Sequence, residues 1–395
     1  MHQALLLAKK GAGWVNPNPM VGAVLVKGEK IIGEGFHKHF GAPHAEVNAI
    51  RDFYQRYISV EGSLRELPLE AQMQQMAGDL HGMLDDTTLY VTLEPCSHQG
   101  KTPPCAPFLV QCGIPRVVIG MVDPNPLVNG DGITYLRSQG VEVETGIAAE
   151  EAREMNEVFV KYVTTGLPFV VLKTAMTLDG KIATVTNASR WITGIESRRA
   201  VHHMRHQYSA VMVGVDTVMF DDPQLNIRLR KSRTGVPWKA PLKVIADSHG
   251  RIPLQSRILA QDPQLTMIAV TSQAPAPRLR EIERLGAQVM VCPIVDNRVN
   301  LSFLMKSLGI MGIDSVMIEG GSTLAFSALK EGVVDKIITF VAPKILGGKN
   351  APSPVGGEGI ERMEEALDLD GMKVKKMGAD LMIEACLPRM KKFKQ

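Results

Sequence analysis

The chain has 395 residues, 45% of them hydrophobic and 22% charged, with a formal net charge of +3. That length exceeds what one typical core organises, so two domains are expected; the small net charge gives no global pull toward nucleic acid, and no apolar run reaches the length of a membrane span. Five cysteines in such a chain make no disulfide framework and suit a reducing cytoplasm.

From the N-terminus, MHQALLLAKKG reads as an amphipathic helix and not as a signal peptide, because the lysines follow the apolar stretch. MVGAVLVKGEKIIGEGF reads as a β-hairpin with Gly28 and Glu29 in its turn. Gly41 to Glu46 then enters a helix, Pro43 setting the chain direction. Residues 51–86 carry a helix-like pattern with Met and Gln, which predicts a helical hairpin. TTLYVTLEP is a strand running into a loop, CAPFLVQCG a helix and RVVIGMVDP a further strand. The charged helical stretch AAEEAREMNEVFVKYV leads to the turn-forming TTGLP, and the domain boundary is expected between Glu144 and Leu167, placed at 146/147. Beyond it FVVLKTAM, AVMVGVDTV, PLKVIAD, LTMIAV, QVMVCPI, SVMIEGG and KIITFVAPKIL alternate as strands with helical stretches. The alternation predicts α/β layers in both halves. The basic C-terminal MKKFKQ reads as a solvated end.

His44 and Glu46 share the first turn of a predicted helix, and Cys96 and Cys105 flank the loop SHQGKTPP. One imidazole and two thiolates, the latter stabilised near helix N-termini, are three good ligands for a tetrahedral Zn²⁺ that keeps its fourth position for water. Zinc brings the pKa of such a water to about 7, and Glu46 then suits proton transfer to a ring nitrogen and a leaving amine. His-x-Glu with Pro-Cys is the pattern of zinc deaminases of nucleobases, although eight residues stand here between the cysteines where two are usual. By themselves these residues support a deaminase of some amino-heterocycle, and leave open a nucleobase or nucleotide deaminase fused to an unrelated α/β domain. His202 and His206 at helical spacing read as part of a solvated basic face. No G-x-G-x-x-G follows a strand, yet SVMIEGGSTLAFSAL places two glycines and then Ser322, expected as N-cap, at a helix start fit for phosphate.

Asn16-Pro-Asn-Pro-Met-Val-Gly22, Pro43-His-Ala-Glu46 and Glu94-Pro-Cys-Ser-His-Gln-Gly-Lys-Thr-Pro-Pro-Cys105 closely resemble the deaminase half of the bifunctional riboflavin-biosynthesis deaminase/reductases. Lys173-Thr-Ala-Met-Thr-Leu-Asp-Gly-Lys181, Ser189-Arg-Trp-Ile-Thr193, Thr217-Val-Met-Phe-Asp-Asp-Pro223 and Glu319-Gly-Gly-Ser-Thr323 resemble the reductase half, in the family's order. The resemblance implies a cytidine-deaminase-like α/β/α domain over 1–146 and a dihydrofolate-reductase-like α/β domain over 147–395. It implies zinc-dependent deamination of 2,5-diamino-6-ribosylamino-4(3H)-pyrimidinone 5′-phosphate, then NADPH reduction of the ribosyl chain to ribityl. His44, Cys96 and Cys105 match the zinc ligands, Glu46 the proton carrier, and Asn18, His37 and Lys101 the deaminase substrate pocket, where Lys101 and His37 would balance a phosphate. Ala175, Trp191, Thr217, Asp221, Ser248, Gly321, Ser322, Thr323, Leu324, Ala325, Phe326 and Ser327 match cofactor positions. Ser189, Arg205, Leu225, Arg228 and Glu319 match reductase substrate positions, the two arginines suited to gripping phosphate. The partners this implies are pyrimidine ribotides, with no nucleic acid and no membrane, acting in a cytoplasmic homo-oligomer. Asn187–Ala188 ahead of Ser189, Asn226, and the long 51–86 segment depart from the family pattern.

Overall fold

The computed structural model describes residues 1–58, 67–100, 102–126, 128–229 and 236–388, in two compact units, Met1–Thr165 and Gly166–Gln395. In the first, helix α1 (His2–Ala8) precedes the hairpin β1 (Gly22–Lys27) and β2 (Lys30–Phe36), followed by α2 (Ala45–Tyr57) and α3 (Leu69–Leu80). Then come β3 (Thr87–Leu93), α4 (Cys105–Gln111), β4 (Arg116–Met121), α5 (Asp131–Ser138), β5 (Glu142–Thr145), α6 (Ala149–Met155) and α7 (Glu157–Thr165). The sheet order is β2-β1-β3-β4-β5, antiparallel across β2, β1 and β3 and parallel from β3 to β5.

The hairpin turns at Gly28, whose φ of 59° is the left-handed region that glycine enters freely. A second glycine positions chemistry. A Cβ on Gly35 in β2 would lie 2.3 Å from the Ala49 nitrogen and 2.4 Å from the Ala45 carbonyl oxygen. Only a bare backbone lets α2 lie so close to β2, and α2 is the helix that begins at His44. The helices expected between 51 and 86 are present on the described residues as the end of α2 and α3, while 59–66 lie outside them. Met73, Met76, Ala77 and Leu80 of α3 are buried in the core of the unit.

The expected boundary at 146/147 falls inside the first unit. Ala152, Phe159 and Val160 of α6 and α7 belong to its core, so the charged helical stretch is part of this domain and not a linker. An apolar stripe diluted by many charges conceals that role in the sequence.

The second unit opens with β6 (Phe169–Thr177), α8 (Ile195–Gln207), β7 (Ala210–Gly214), α9 (Val215–Asp221), β8 (Leu242–Ala246), α10 (Arg257–Gln261), β9 (Thr266–Val270), α11 (Ala276–Arg284) and β10 (Gln288–Val291). It continues with the small ladder β11 (Ile294–Val295) and β12 (Arg298–Val299), then α12 (Leu301–Ile310), β13 (Ser315–Gly320), α13 (Ser322–Lys330), β14 (Lys336–Ala342), β15 (Asp370–Met377) and β16 (Asp380–Cys386). Nine strands form one sheet in the order β10-β9-β8-β7-β13-β6-β14-β16-β15, parallel from β10 through β14 and antiparallel in the last two pairs.

Two local expectations change, and one hairpin was not foreseen. The run AVMVGVDTV divides into strand β7 and helix α9. Its apolar Val215 and Val218 sit three apart, both buried on the inner side of that helix. Gly321, not Ser322, caps α13, because the cap adopts φ of 91° and Ser322 is already helical. The hairpin of β15 and β16 has little signal in the sequence, since β15 is an edge strand exposed along nearly its whole length and rich in lysine. Among the described residues no helix is long and apolar enough to cross a membrane.

Candidate functional site

His44 is the N-cap residue of α2, and Cys105 is the first residue of α4. Cys96 follows β3 by three residues, so three separate elements deliver one ligand each. His44 Nδ1 lies 3.6 Å from Cys96 Sγ and 3.4 Å from Cys105 Sγ. A tetrahedral zinc with Zn–N of about 2.0 Å and Zn–S of about 2.3 Å holds such ligand atoms about 3.5 Å apart, so the set fits the ion. Among the described residues it is the one His/Cys/Asp/Glu group gathered closely enough to hold a metal. The other ring nitrogen of His44, Nε2, lies 3.3 Å from Thr102 Oγ1, which fixes the ring with Nδ1 toward the sulfurs. The Cys105 backbone N–H donates to Cys96 Sγ at 3.4 Å. Hydrogen bonding from Cys105 and the neighbouring His44 hold the Cys96 thiol well below its ordinary range, while the Cys96 contact and burial push Cys105 up. Two sulfurs this close resist ionising together, and a dication between them removes the conflict.

Glu46, the second residue of α2, is 3% exposed, and its Oε2 has no hydrogen-bond partner among the described residues. Burial pushes its carboxyl up to about 7, with His44 pulling the other way. An unpartnered buried carboxylate oxygen costs free energy unless a ligand completes it.

Asn18, His37, His44, Glu46 and Cys96 all line one cavity of about 280 Å³. Asn18 Nδ2 donates to His37 Nε2 at 3.2 Å, and His37 Nδ1 donates to the Pro43 carbonyl at 3.3 Å. His37 is 3% exposed, and burial, helped by His44, lowers its pKa to about 4. It is therefore neutral and orients Asn18, in place of the phosphate-balancing cation expected from the sequence. Lys101 lies outside the described residues. The sequence reading missed Asp123, Asn125, Thr102 and Phe159, which line the same cavity. It also missed Glu94, whose buried carboxylate accepts from the backbone N–H groups of Asp123, Gly130, Gly132 and Ile133 at 2.9–3.2 Å. Only its place in the EPC motif marked it, because backbone partners leave no trace in a sequence.

In the second unit, Ala175, Ser189, Thr217, Asp221, Glu319, Gly321, Ser322 and Ala325 line a common cavity with Lys173. Ser248, Thr323, Leu324 and Ser327 line an adjoining one, which shares Asp216, Gly321 and Ser322 with the first. The sequence reading did not anticipate His249, Arg251 and Arg298 on this second wall. Ser189 Oγ donates to Asp221 Oδ1 at 2.9 Å, tying a residue expected at the substrate to one expected at the cofactor. Phe326 lines a neighbouring cavity with Thr323 and Ser327. Trp191, Leu225 and Arg228 stand outside all three: Trp191 is largely exposed beneath the Arg198 guanidinium, Leu225 is buried at φ 51°, and Arg228 is exposed.

Arg205 does not hold out a free fork. Its Nε and Nη2 bind Glu319 at 2.6 and 2.8 Å, and Nη1 donates to the Asn226 carbonyl at 3.0 Å. Burial opposes ionisation of Glu319, but Arg205 and Lys173 outweigh it and hold the carboxyl below its ordinary value. The bidentate grip expected on a phosphate is thus made on a buried carboxylate. His206 is likewise no part of a solvated face, being 5% exposed and edge-on to Trp238 at 4.7 Å. Asp179 of the LDGK stretch accepts from the N–H groups of Leu346 and Gly347, which makes it a loop anchor.

The comparisons agree with both halves. Residues 1–121 match the cytidine and deoxycytidylate deaminase zinc-binding region, and residues 168–383 match the RibD C-terminal domain. The riboflavin biosynthesis protein RibD of Actinobacillus pleuropneumoniae is 41% identical over 384 residues, covering 97% of this chain and 93% of that one. The solved structure of Acinetobacter baumannii RibD superposes with a TM-score of 0.81 at 37% identity, covering 98% of this chain and 97% of the other. That of the diaminohydroxyphosphoribosylaminopyrimidine deaminase/5-amino-6-(5-phosphoribosylamino)uracil reductase of Thermotoga maritima superposes with a TM-score of 0.78 at 36% identity over the same shares. The first unit therefore has a cytidine-deaminase-like fold that takes zinc, and the second is a dihydrofolate-reductase-like unit using NADPH. The chain belongs to the RibD family of riboflavin biosynthesis, bifunctional enzymes that deaminate a diaminopyrimidine ribotide and reduce the ribosyl chain of the product.

Proposed function

We propose that Glu46 carries the protons of the deamination and that His44, Cys96 and Cys105 hold the zinc. The observation that carries this reading is the buried, unpartnered Glu46 Oε2 in a cavity shared with His44 and Cys96. When bound, zinc supplies a Lewis acid that makes water reactive near neutral pH. Glu46 takes one proton from the attacking water and passes it to the ring nitrogen; it then takes the second proton from the hydroxyl added at the carbon and passes it to the amine, which leaves as ammonia as the carbonyl forms. Asn18, held by neutral His37, reads the polar edge of the pyrimidine, and Lys101 meets the phosphate.

In the second unit the amides at the start of α13, with Ser248, Thr217 and Asp221, hold NADPH; Ala175 and residues 321–327 complete its site, and Trp191, outside these cavities, is assigned to the cofactor by its place in the Ser189–Thr193 motif alone. Ser189 and the Arg205–Glu319 pair set the ribosyl chain against the nicotinamide, where the hydride is the cofactor's to give; Leu225 and Arg228, outside the cavities, are assigned to the substrate by motif position alone. The chain acts on small molecules and not on nucleic acid, in keeping with its net charge of +3. Its five free cysteines suit the cytoplasm, and the exposed Met372 and Val374 on edge strand β15 suit a homo-oligomer, which sedimentation tests.

The deciding experiment follows ammonia release from the diaminopyrimidine ribotide and the NADPH oxidation that depends on it. Glu46→Gln is expected to keep one zinc per chain and to lose ammonia release by roughly 10²–10⁴-fold. It should still oxidise NADPH when given the deaminated ribotide. Ammonia release at the wild-type rate in this variant would remove Glu46 from the chemistry.

A further inference from the structure

Met20 lies between Asn18 and the start of β1, so its backbone has no place in the sheet. A buried backbone N–H and C=O still need partners. Both are taken by one side chain: the Met20 N–H donates to Asn156 Oδ1 at 2.8 Å, and Asn156 Nδ2 donates to the Met20 carbonyl at 3.0 Å. Asn156 is 2% exposed and sits at the junction between α6 and α7. A carboxamide carries its acceptor and its donor on separate atoms, side by side as in a peptide group, so it substitutes for a missing strand partner. Three residues on, Phe159 is 9% exposed and lines the same cavity as Asn18, Pro19, Val21 and Glu46. Three-residue spacing at the head of α7 puts the clamp and the cavity wall side by side.

We propose that Asn156 and Phe159 are specificity elements of the deaminase, resting on the assignment of this cavity to the pyrimidine ribotide. Asn156 is a positioning residue: by fixing Met20 it fixes Asn18, two residues earlier, against His37 and the ring edge. Phe159 supplies the apolar surface against which the flat pyrimidine lies. The helical stretch after β5, which looks like a connector in the sequence, thereby becomes part of the site for the first reaction.

The test is made in the full-length, zinc-loaded enzyme with steady-state ammonia release. Asn156→Asp keeps the acceptor but sets a carboxylate oxygen against the Met20 carbonyl. We expect its KM for the diaminopyrimidine ribotide to rise about tenfold or more while kcat stays within about threefold, because Glu46 and the zinc ligands are untouched. Zinc content and NADPH oxidation with the deaminated ribotide should not change. Phe159→Leu nearly conserves core volume, so it is expected to fold and to raise KM; Phe159→Tyr, which keeps a flat ring, should restore most of it. An unchanged KM in both Asn156→Asp and Phe159→Leu, in an enzyme whose wild type is active, overturns this inference alone. A loss of zinc and of kcat with KM preserved also overturns it, since that is how a mere brace behaves. A wild-type enzyme that releases no ammonia from this compound overturns the cavity's assignment itself.

Discussion

Thr102 shows how much of the metal site lies outside the metal ligands. Its hydroxyl meets His44 Nε2 at 3.3 Å, on the side of the ring away from the sulfurs. Outer partners of this kind set ring orientation and ligand basicity, and their loss typically weakens metal binding about 10–100-fold. Thr102→Val, nearly the same shape without the hydroxyl, is expected to weaken zinc by that factor, read by competition with a chelator. His202 offers a test of charge at the second site. Burial, with Arg205 and Arg228 nearby, lowers its pKa to about 4 from 6.5. Between those values the unfolded chain binds a proton that the folded chain refuses, so stability falls as pH drops through that window and is unaffected above it. Denaturation of the full chain at stepped pH should show this loss, and His202→Asn should reduce it. Equal pH dependence in the two proteins would refute the assignment to His202.

Elements act here mainly by how closely they approach. Gly35 lets α2 lie against β2, and Gly132 does the same for α5, where a Cβ would come within 2.0 Å of the Pro95 carbonyl oxygen. Both contacts fix a segment bearing site residues: α2 opens with His44 and Glu46, and Pro95 precedes Cys96. Gly35→Ala is expected to cost about 1–3 kcal/mol from overpacking and, by displacing α2, to lower zinc affinity as well. Urea denaturation and zinc titration of the same variant check the two effects; wild-type values in both would show that β2 yields without cost. The hairpin of β1 and β2, the helix at His44 and the strand before Cys96 were all legible, because each carries a period and a turn residue. The β15–β16 hairpin was not, since an exposed edge strand needs no apolar alternation.

At the scale of the whole chain the division falls at Thr165/Gly166, beyond the expected 146/147. Residues 147–165 bring Ala152, Phe159 and Val160 into the core of the first unit and clamp Met20 through Asn156. A chain ended after Thr165 is therefore expected to hold zinc and deaminate, whereas one ended after Gly146 should unfold more readily and lose activity. Equal zinc content and ammonia release from the two fragments would show that the helices are a connector after all.

The sequence by itself determined the chemistry of the first unit. His44, Glu46, Cys96 and Cys105 are residue types with few alternative uses in that combination, and metal and proton chemistry depend on identity first. It also carried the family, through motifs spread over both halves. Tertiary structure alone decided what the charged groups do. His37 and Arg205 read as phosphate cations, yet burial makes one neutral and Glu319 occupies the other. It decided, too, that Glu94 and Asn156 hold backbone at the deaminase cavity. A side chain's partners and its exposure are set by segments far away along the chain, and burial fixes both its charge and its hydrogen bonds.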